Sequence, residues 1–383
     1  MAHNSTVLAQ FLDLVPRHEF ESVANRHHEG RRLRSMTRWN QFVAMAVGQL
    51  AGRCSLRDMV ANLSAQGRKL YHLGVGAVAR SSLARVNETQ PHGLYEELFG
   101  RLLARCRTAA PGHGFRFRNP LYSLDATTID LCLSVFPWAK FRRAKGAVKL
   151  HLGLDHAGLL PAFARVTDGK AGDIEAARAL RLPAGSIVAA DRAYMDFDWI
   201  NSLISQGVFL VTRLKRRIRF RILERRPVNR AQGVTSDQTI GFTSAKGRKR
   251  CPHRLRRIGY RDPGTGRHHV FPTTNFTLSA KTVADIYKSR WQVELFFKWI
   301  KQNLRIKSFV GTSRNAVMTR IWIALCVYLL LAYIKFANRL AWSMQEILRV
   351  LQMNLFDRRA ILDVLAPSSD PPDDPGQLQL AFA

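Results

Sequence analysis

The run YKSRWQVELFFKWIKQ, residues 287–302, constrains this chain more than any other segment. At about 100° per residue, Tyr287, Arg290, Glu294 and Lys301 fall within a stripe roughly 60° wide on one helix. Ile286, Val293, Phe297, Ile300 and Leu304 form an apolar face directly beside it. An ordinary amphipathic helix, with Arg290 and Glu294 paired at i, i+4, would account for part of this pattern. It would not account for a lone carboxylate set among two cations and a phenol at the edge of a buried face. A metal-binding carboxylate with phosphate-gripping neighbours requires that arrangement.

Charge points the same way. The 383 residues hold 59 Lys+Arg against 28 Asp+Glu, a net of +31. Such a field repels itself unless a polyanion neutralises it, and nucleic acid is the usual one. Cys54, Cys106, Cys132, Cys251 and Cys326 are scattered, odd in number and never spaced as CxxC. They indicate neither a disulfide framework nor a structural zinc site, and suit a reducing cytoplasm. MAHNSTVLAQF lacks the basic-then-apolar design of an export signal. The uncharged stretch 321–334 is short for a bilayer span of about 20 residues, so it reads as a buried core helix and no membrane is expected.

Residues 1–110 read as a helical, DNA-binding domain. Ser55 is placed to cap SLRDMVANLSAQ, and Ser81 or Ser82 to cap a helix through SSLARVNET. The two helices flanking Gly52-Arg53 read equally as a helix-turn-helix or as a plain αα-hairpin. From residue 118 the pattern becomes strand-like. LYSLDATT, AVKLHLGLD and LLPAFARVT read as three successive strands, followed by helix DIEAARAL, strand SIVAAD, helix FDWINSLISQG and strand VFLVTRLK. This order predicts an α/β fold, an RNase H-like mixed sheet with helices packed on it, over residues 118–340. The segment 213–272 interrupts it. Between Arg213 and Arg267 it carries 18 Lys/Arg against Glu224, Asp237 and Asp262, a net of +15. RRIRFRIL alternates as strands do, so the segment reads as a basic β-rich insertion facing DNA, with Arg216, Arg217, Arg219 and Arg221 as contacts. C-terminal helices are expected over 341–366 and a disordered Pro- and Asp-rich tail over 367–383.

Asp125 and Asp191 each end a predicted strand, and a carboxylate at the end of a buried strand is costly unless something cationic meets it. With Glu294 they offer hard oxygen ligands suited to a pair of Mg²⁺ or Mn²⁺ ions. Asp125 and Asp191 are 66 residues apart and Asp191 and Glu294 are 103 apart, the longer gap holding the basic insertion. LDATT at Asp125, ADRAYMD at Asp191 and the pattern Y-x2-R-x3-E-x6-K together resemble the IS4-type insertion-sequence transposases, across about residues 118–340. Ala193 stands where many members of that family have Gly.

The resemblance implies a cut-and-paste DNA transposase with an RNase H-like catalytic core. By it, Asp125, Asp191 and Glu294 are the catalytic residues and ligands of two divalent ions, and Tyr287, Arg290 and Lys301 grip phosphates of double-stranded DNA at the element's inverted ends. Trp291 is a candidate to stack on a displaced base, with core packing as the competing reading. Lys149 and His151 share one face of their strand near the site's edge. A homodimer in the synaptic complex is implied as well. A helix-turn-helix regulator, or an RNase H-like nuclease without transposition, stands as the alternative.

Overall fold

The computed structural model describes residues 5–30, 32–142, 145–306 and 309–366; the expected disordered tail from Pro367 lies outside them. Seven helices come first: α1 (Val7–Leu12), α2 (Arg17–Arg26), α3 (Arg38–Leu50), α4 (Leu56–Ala65), α5 (Gly67–Leu70), α6 (Arg80–Thr89) and α7 (Gly93–Ala109). Ser55 caps α4 as expected, its hydroxyl accepting from the Asp58 amide. The cap expected at Ser81 or Ser82 does not form: α6 begins at Arg80, and its N-cap, Ala79, supplies no side-chain hydrogen bond. Packing of Leu83, Val86 and Asn87 places that helix, and the two serines sit in its first turn.

Ten strands follow: β1 (Leu121–Leu131), β2 (Lys140–Arg142), β3 (Lys145–Asp155), β4 (Leu160–Asp168), β5 (Ile187–Ala190), β6 (Phe209–Val211), β7 (Phe220–Arg225), β8 (Val234–Phe242), β9 (Leu255–Arg261) and β10 (His268–Thr273). All belong to one sheet in the order β2-β3-β1-β5-β6-β10-β9-β8-β7, with β4 also beside β3. The β4-β3-β1 meander is antiparallel, whereas β1, β5 and β6 run parallel. Three antiparallel strands continued by two parallel ones, in spatial order 3-2-1-4-5, is the RNase H-like arrangement. The basic insertion is not a separate body. Its four strands, β7 to β10, are antiparallel and extend the sheet outward from β6.

Helices α8 (Asp173–Arg178) and α9 (Phe197–Ser205) cover one face, where Ala177, Trp199 and Leu203 pack with Leu124, Val188 and Leu210. Short helix α10 (Ala245–Arg250) sits against α9 within the insertion. On the other face lie α11 (Ala280–Ser289) and α12 (Trp291–Asn303). The single helix expected through Tyr287 and Lys301 is therefore two, joined at Arg290. At the joint, the Arg290 amide donates to the Tyr287 carbonyl and the Val293 amide to the Arg290 carbonyl, i→i−3 bonds that tighten and bend the run. The two halves have different floors. α11 packs on β9, β10 and their neighbours, and α12 packs on β1 and β3. A twisted sheet this wide cannot keep one straight helix in contact with both regions.

The 24-residue α13 (Arg314–Ala337) has a mean hydropathy of 2.0 over its most apolar window, enough by length and composition to cross a membrane, yet 94% of that window is buried inside the protein. It packs against α3, α6, α7 and β4, and α14 (Met344–Asn354) packs on it in turn, with α15 (Ile361–Val364) beyond. One hydrophobic cluster consequently runs from Val7 and Phe42 through Leu330 to Leu150 and Val293. The N-terminal helices and the sheet share a core, so the boundary near residue 110 marks a change of secondary structure and not a gap in packing.

Candidate active site

The register of two parallel strands builds the site. Leu124 of β1 pairs with Ala190 of β5, so Asp125 and Asp191 are the next residues along both strands and point to the same face. Asp191 follows the last residue of β5, as expected. Asp125 does not end its strand: it is the fifth of 11 residues in β1 and still pairs with Leu152 of β3. The strand that ends there is its neighbour β5, and the gap it leaves exposes an edge of the carboxylate.

Arg290 closes the group. Its Nη1 lies 3.4 Å from Asp125 Oδ2 and its Nη2 donates to Glu294 Oε1 at 2.6 Å, with the side chain 11% exposed. The Tyr287 hydroxyl donates to Asp191 Oδ1 at 3.2 Å. Lys301 Nζ donates to the Thr127 hydroxyl and, at 3.2 Å, to the Thr128 carbonyl on β1. Residues more than 160 positions apart are thus joined by a helix pair lying across two strand ends.

The electrostatics are those of crowded carboxylates. Burial pushes the Asp125 carboxyl above its usual range; Glu294 and Asp191 add to the rise, while the Ala126 amide and Arg290 oppose it. Burial also raises the Tyr287 phenol. Burial works against the charge on Arg290, but the hydrogen bond to Glu294, with Tyr287 and Asp125 nearby, leaves its pKa raised. Tyr194 went unassigned in the sequence although it stands three residues after Asp191. It is buried in the turn Arg192–Tyr194, and its phenol is raised by burial and by Asp173, Asp125 and Asp191. Only its place in the ADRAYMD motif could have drawn notice to it.

Lys149 and His151 are not part of this group. Leu150 and Leu152 pair with Thr127 and Asp125, so the alternate residues Lys149 and His151 face the opposite side of the sheet. There Lys149 donates to Asp173 Oδ1 at 2.9 Å, and buried His151 contacts the Thr167 hydroxyl at 2.9 Å. Trp291 is 56% exposed, which removes the core-packing reading. It borders a groove lined by Tyr260, His269, Phe271, Tyr287 and Lys288. Arg216, Arg217, Arg219 and Arg221 are all exposed, leading into and along the outermost strand β7.

The family described as "Transposase DDE domain" matches residues 116–330. The chain belongs to the DDE transposase family. A second family, a domain of unknown function, matches residues 3–76 of the transposase. Its relatives include the "Probable transposase for insertion sequence element IS5377" of Geobacillus stearothermophilus, 30% identical over 256 residues, 66% of this chain and 67% of the relative. A Sinorhizobium fredii protein with the provisional name of transposase y4zB is 29% identical over 297 residues, 76% of this chain and 81% of the relative. The solved piggyBac transposase synaptic complex with hairpin DNA shows a likeness at TM-score 0.47 and 10% identity, covering 98% of this chain and 87% of that one. The RNase H-like fold rests on the strand order and not on that likeness. The enzyme is a DNA transposase, and its class consists of endonucleases and strand transferases that depend on divalent metal ions.

Do these residues suit such an ion? Asp125, Asp191 and Glu294 are hard oxygen donors, the chemistry Mg²⁺ or Mn²⁺ prefers. Among the described residues, no three His, Cys, Asp or Glu side chains lie close enough to hold one ion as they stand. Arg290 stands in the way, touching two of the three carboxylates. The donor set fits, and a guanidinium now supplies the positive charge it calls for.

Proposed function

We propose that Asp125, Asp191 and Glu294 are the catalytic carboxylates of the transposase and would hold two Mg²⁺ or Mn²⁺ ions. When bound, such a pair activates the attacking oxygen and stabilises the leaving one. Tyr287, Arg290 and Lys301 grip backbone phosphates at the inverted ends of the element, and the planar Arg fork sets the phosphate's orientation. The reaction is cleavage at those ends followed by transfer of the freed 3′-OH to target DNA. Arg216, Arg217, Arg219 and Arg221 neutralise further phosphates. The exposed Trp291, beside an aromatic groove, stacks on a displaced base. The helices of residues 1–110 add DNA contacts through exposed Arg57, Arg68, Arg80 and Arg85, and two copies join the two ends in the cytoplasm.

The in-register placement of Asp125 and Asp191, with Arg290 tying Asp125 to Glu294, carries this reading. A helix-turn-helix regulator is the weaker account. All 13 residues of α3 are buried, and Arg57, the sole cation of α4, is followed by Asp58, which contacts Arg53 at 3.6 Å. The exposed face of α4 holds Arg57, Ala61, Ser64 and Ala65, so it presents one cation and few groups that could read base edges. The test is Asp125→Ala, Asp191→Ala and Glu294→Ala. Each should abolish divalent-ion-dependent cleavage and leave DNA binding largely intact, because each removes a metal ligand and no positive charge. Near wild-type cleavage by any one of them means that residue was misassigned.

A further inference from the structure

Two side chains partner all three carboxylates in the DNA-free protein. Arg290 bridges Asp125 and Glu294, and the Tyr287 hydroxyl holds Asp191. A guanidinium and a divalent cation cannot share those oxygens, since like charges a few ångströms apart repel strongly in a partly buried site. Taking the carboxylate assignment above as given, we propose that Arg290 is a latch that keeps divalent ions out of the site until another anion draws its guanidinium away.

The interactions have the character of a latch and not of a permanent strut. The bond to Asp125 is long, at 3.4 Å, and the buried Nε has no hydrogen-bond partner among the described residues. The guanidinium is therefore incompletely satisfied where it rests. A DNA phosphate offers a bidentate acceptor that the present arrangement lacks. Arg290 is also the joint between α11 and α12, the one residue of the run outside both helices. Its side chain can swing without unwinding either. Glu294, one turn further on, stays on α12 and is freed as an oxygen donor when Arg290 leaves.

The measurement is Mn²⁺ titration of the full-length protein without DNA, read by loss of the electron paramagnetic resonance signal of free Mn²⁺ and by the Mn²⁺-induced rise in melting temperature. Arg290→Gln should bind Mn²⁺ at least about tenfold more tightly than wild type and show the larger thermal rise, because a unit positive charge has left the ligands. Arg290→Lys, whose single ammonium cannot bridge both carboxylates, should fall between the two; it decides the matter alone if the Gln variant does not fold. Mn²⁺ binding by Arg290→Gln no tighter than wild type, including no binding by either, overturns the latch. The double variant Asp125→Asn/Arg290→Gln separates the two ideas. It should lose the gain, and tight binding that survives in it would overturn the carboxylate assignment instead.

Discussion

Asp237→Ala tests how the insertion supports the site. Asp237 on β8 and Arg256 on β9 form a two-point ion pair, Nε to Oδ1 at 2.9 Å and Nη2 to Oδ2 at 2.6 Å, with both side chains only 6% exposed. The third arm of the guanidinium donates to the Leu278 carbonyl, directly before Ser279, the residue that caps α11. One side chain thus ties two insertion strands to the start of the helix that carries Tyr287. Removing the carboxylate leaves a buried charge uncompensated, which costs about 3–5 kcal/mol. For a chain of 383 residues about 1.2 °C per kcal/mol is expected, so the melting temperature should fall by roughly 4–6 °C. Circular dichroism melts and urea titration read this directly. Asp237→Leu with Arg256→Met should recover most of the loss, because apolar replacement of a buried pair is often neutral. About 1–2 kcal/mol should remain from the orphaned Leu278 carbonyl. A loss under about 1 kcal/mol for Asp237→Ala, or a double variant as unstable as the single, would show that the pair is solvated and does not anchor α11.

Two further outcomes are expected. Replacing Arg216, Arg217, Arg219 and Arg221 with Gln should weaken binding to DNA of any sequence and flatten the slope of log affinity against log salt by about 0.9 for each phosphate no longer neutralised; an unchanged slope removes this run from the DNA surface. Burial lowers the His156 pKa to about 4, with His113 adding to the effect, while its Nε2 lies 2.7 Å from the Ser123 hydroxyl. A depressed pKa means the folded state prefers neutral His156, so this contribution is complete above about pH 6.5 and is lost as pH falls toward 4, on the order of 3 kcal/mol. Urea midpoints followed across that window should drop less steeply for His156→Gln than for wild type, and parallel curves would contradict the assignment.

Local pattern carried much of the fold and less of the site. Alternation and apolar runs placed β1, β3, β4 and β5, and the uncharged stretch marked α13 as buried, because strand burial and helix burial are written into neighbouring residues. The break at Arg290 was not legible. Helical periodicity continues smoothly through YKSRWQVEL, and what interrupts it is the change of floor beneath α11 and α12, a property of strands far away in sequence. The same holds for the pairing of Arg290 with Asp125 across 165 positions and for Lys301 with Thr127. Asp125 looked like a strand end because the apolar run stops there and Ala126, Thr127 and Thr128 follow; β3 alone keeps β1 extended to Leu131, and no local signal reports a partner strand.

The 103 residues between Asp191 and Glu294 look like an obstacle to a shared site, yet the sheet makes them nearly irrelevant. The insertion leaves from β6 and returns on β10, and β10 pairs with β6 at Thr273 and Val211. β6 in turn pairs with β5, the strand that delivers Asp191. The chain therefore re-enters two strands away from Asp191, six residues before α11 begins, however much basic surface it has built in between. Strands can be added to the free edge at β7 without moving either carboxylate. What holds Asp191 and Glu294 in reach of each other is the β5-β6-β10 pairing, so disturbing that register should harm the site more than changing the length of the insertion beyond it.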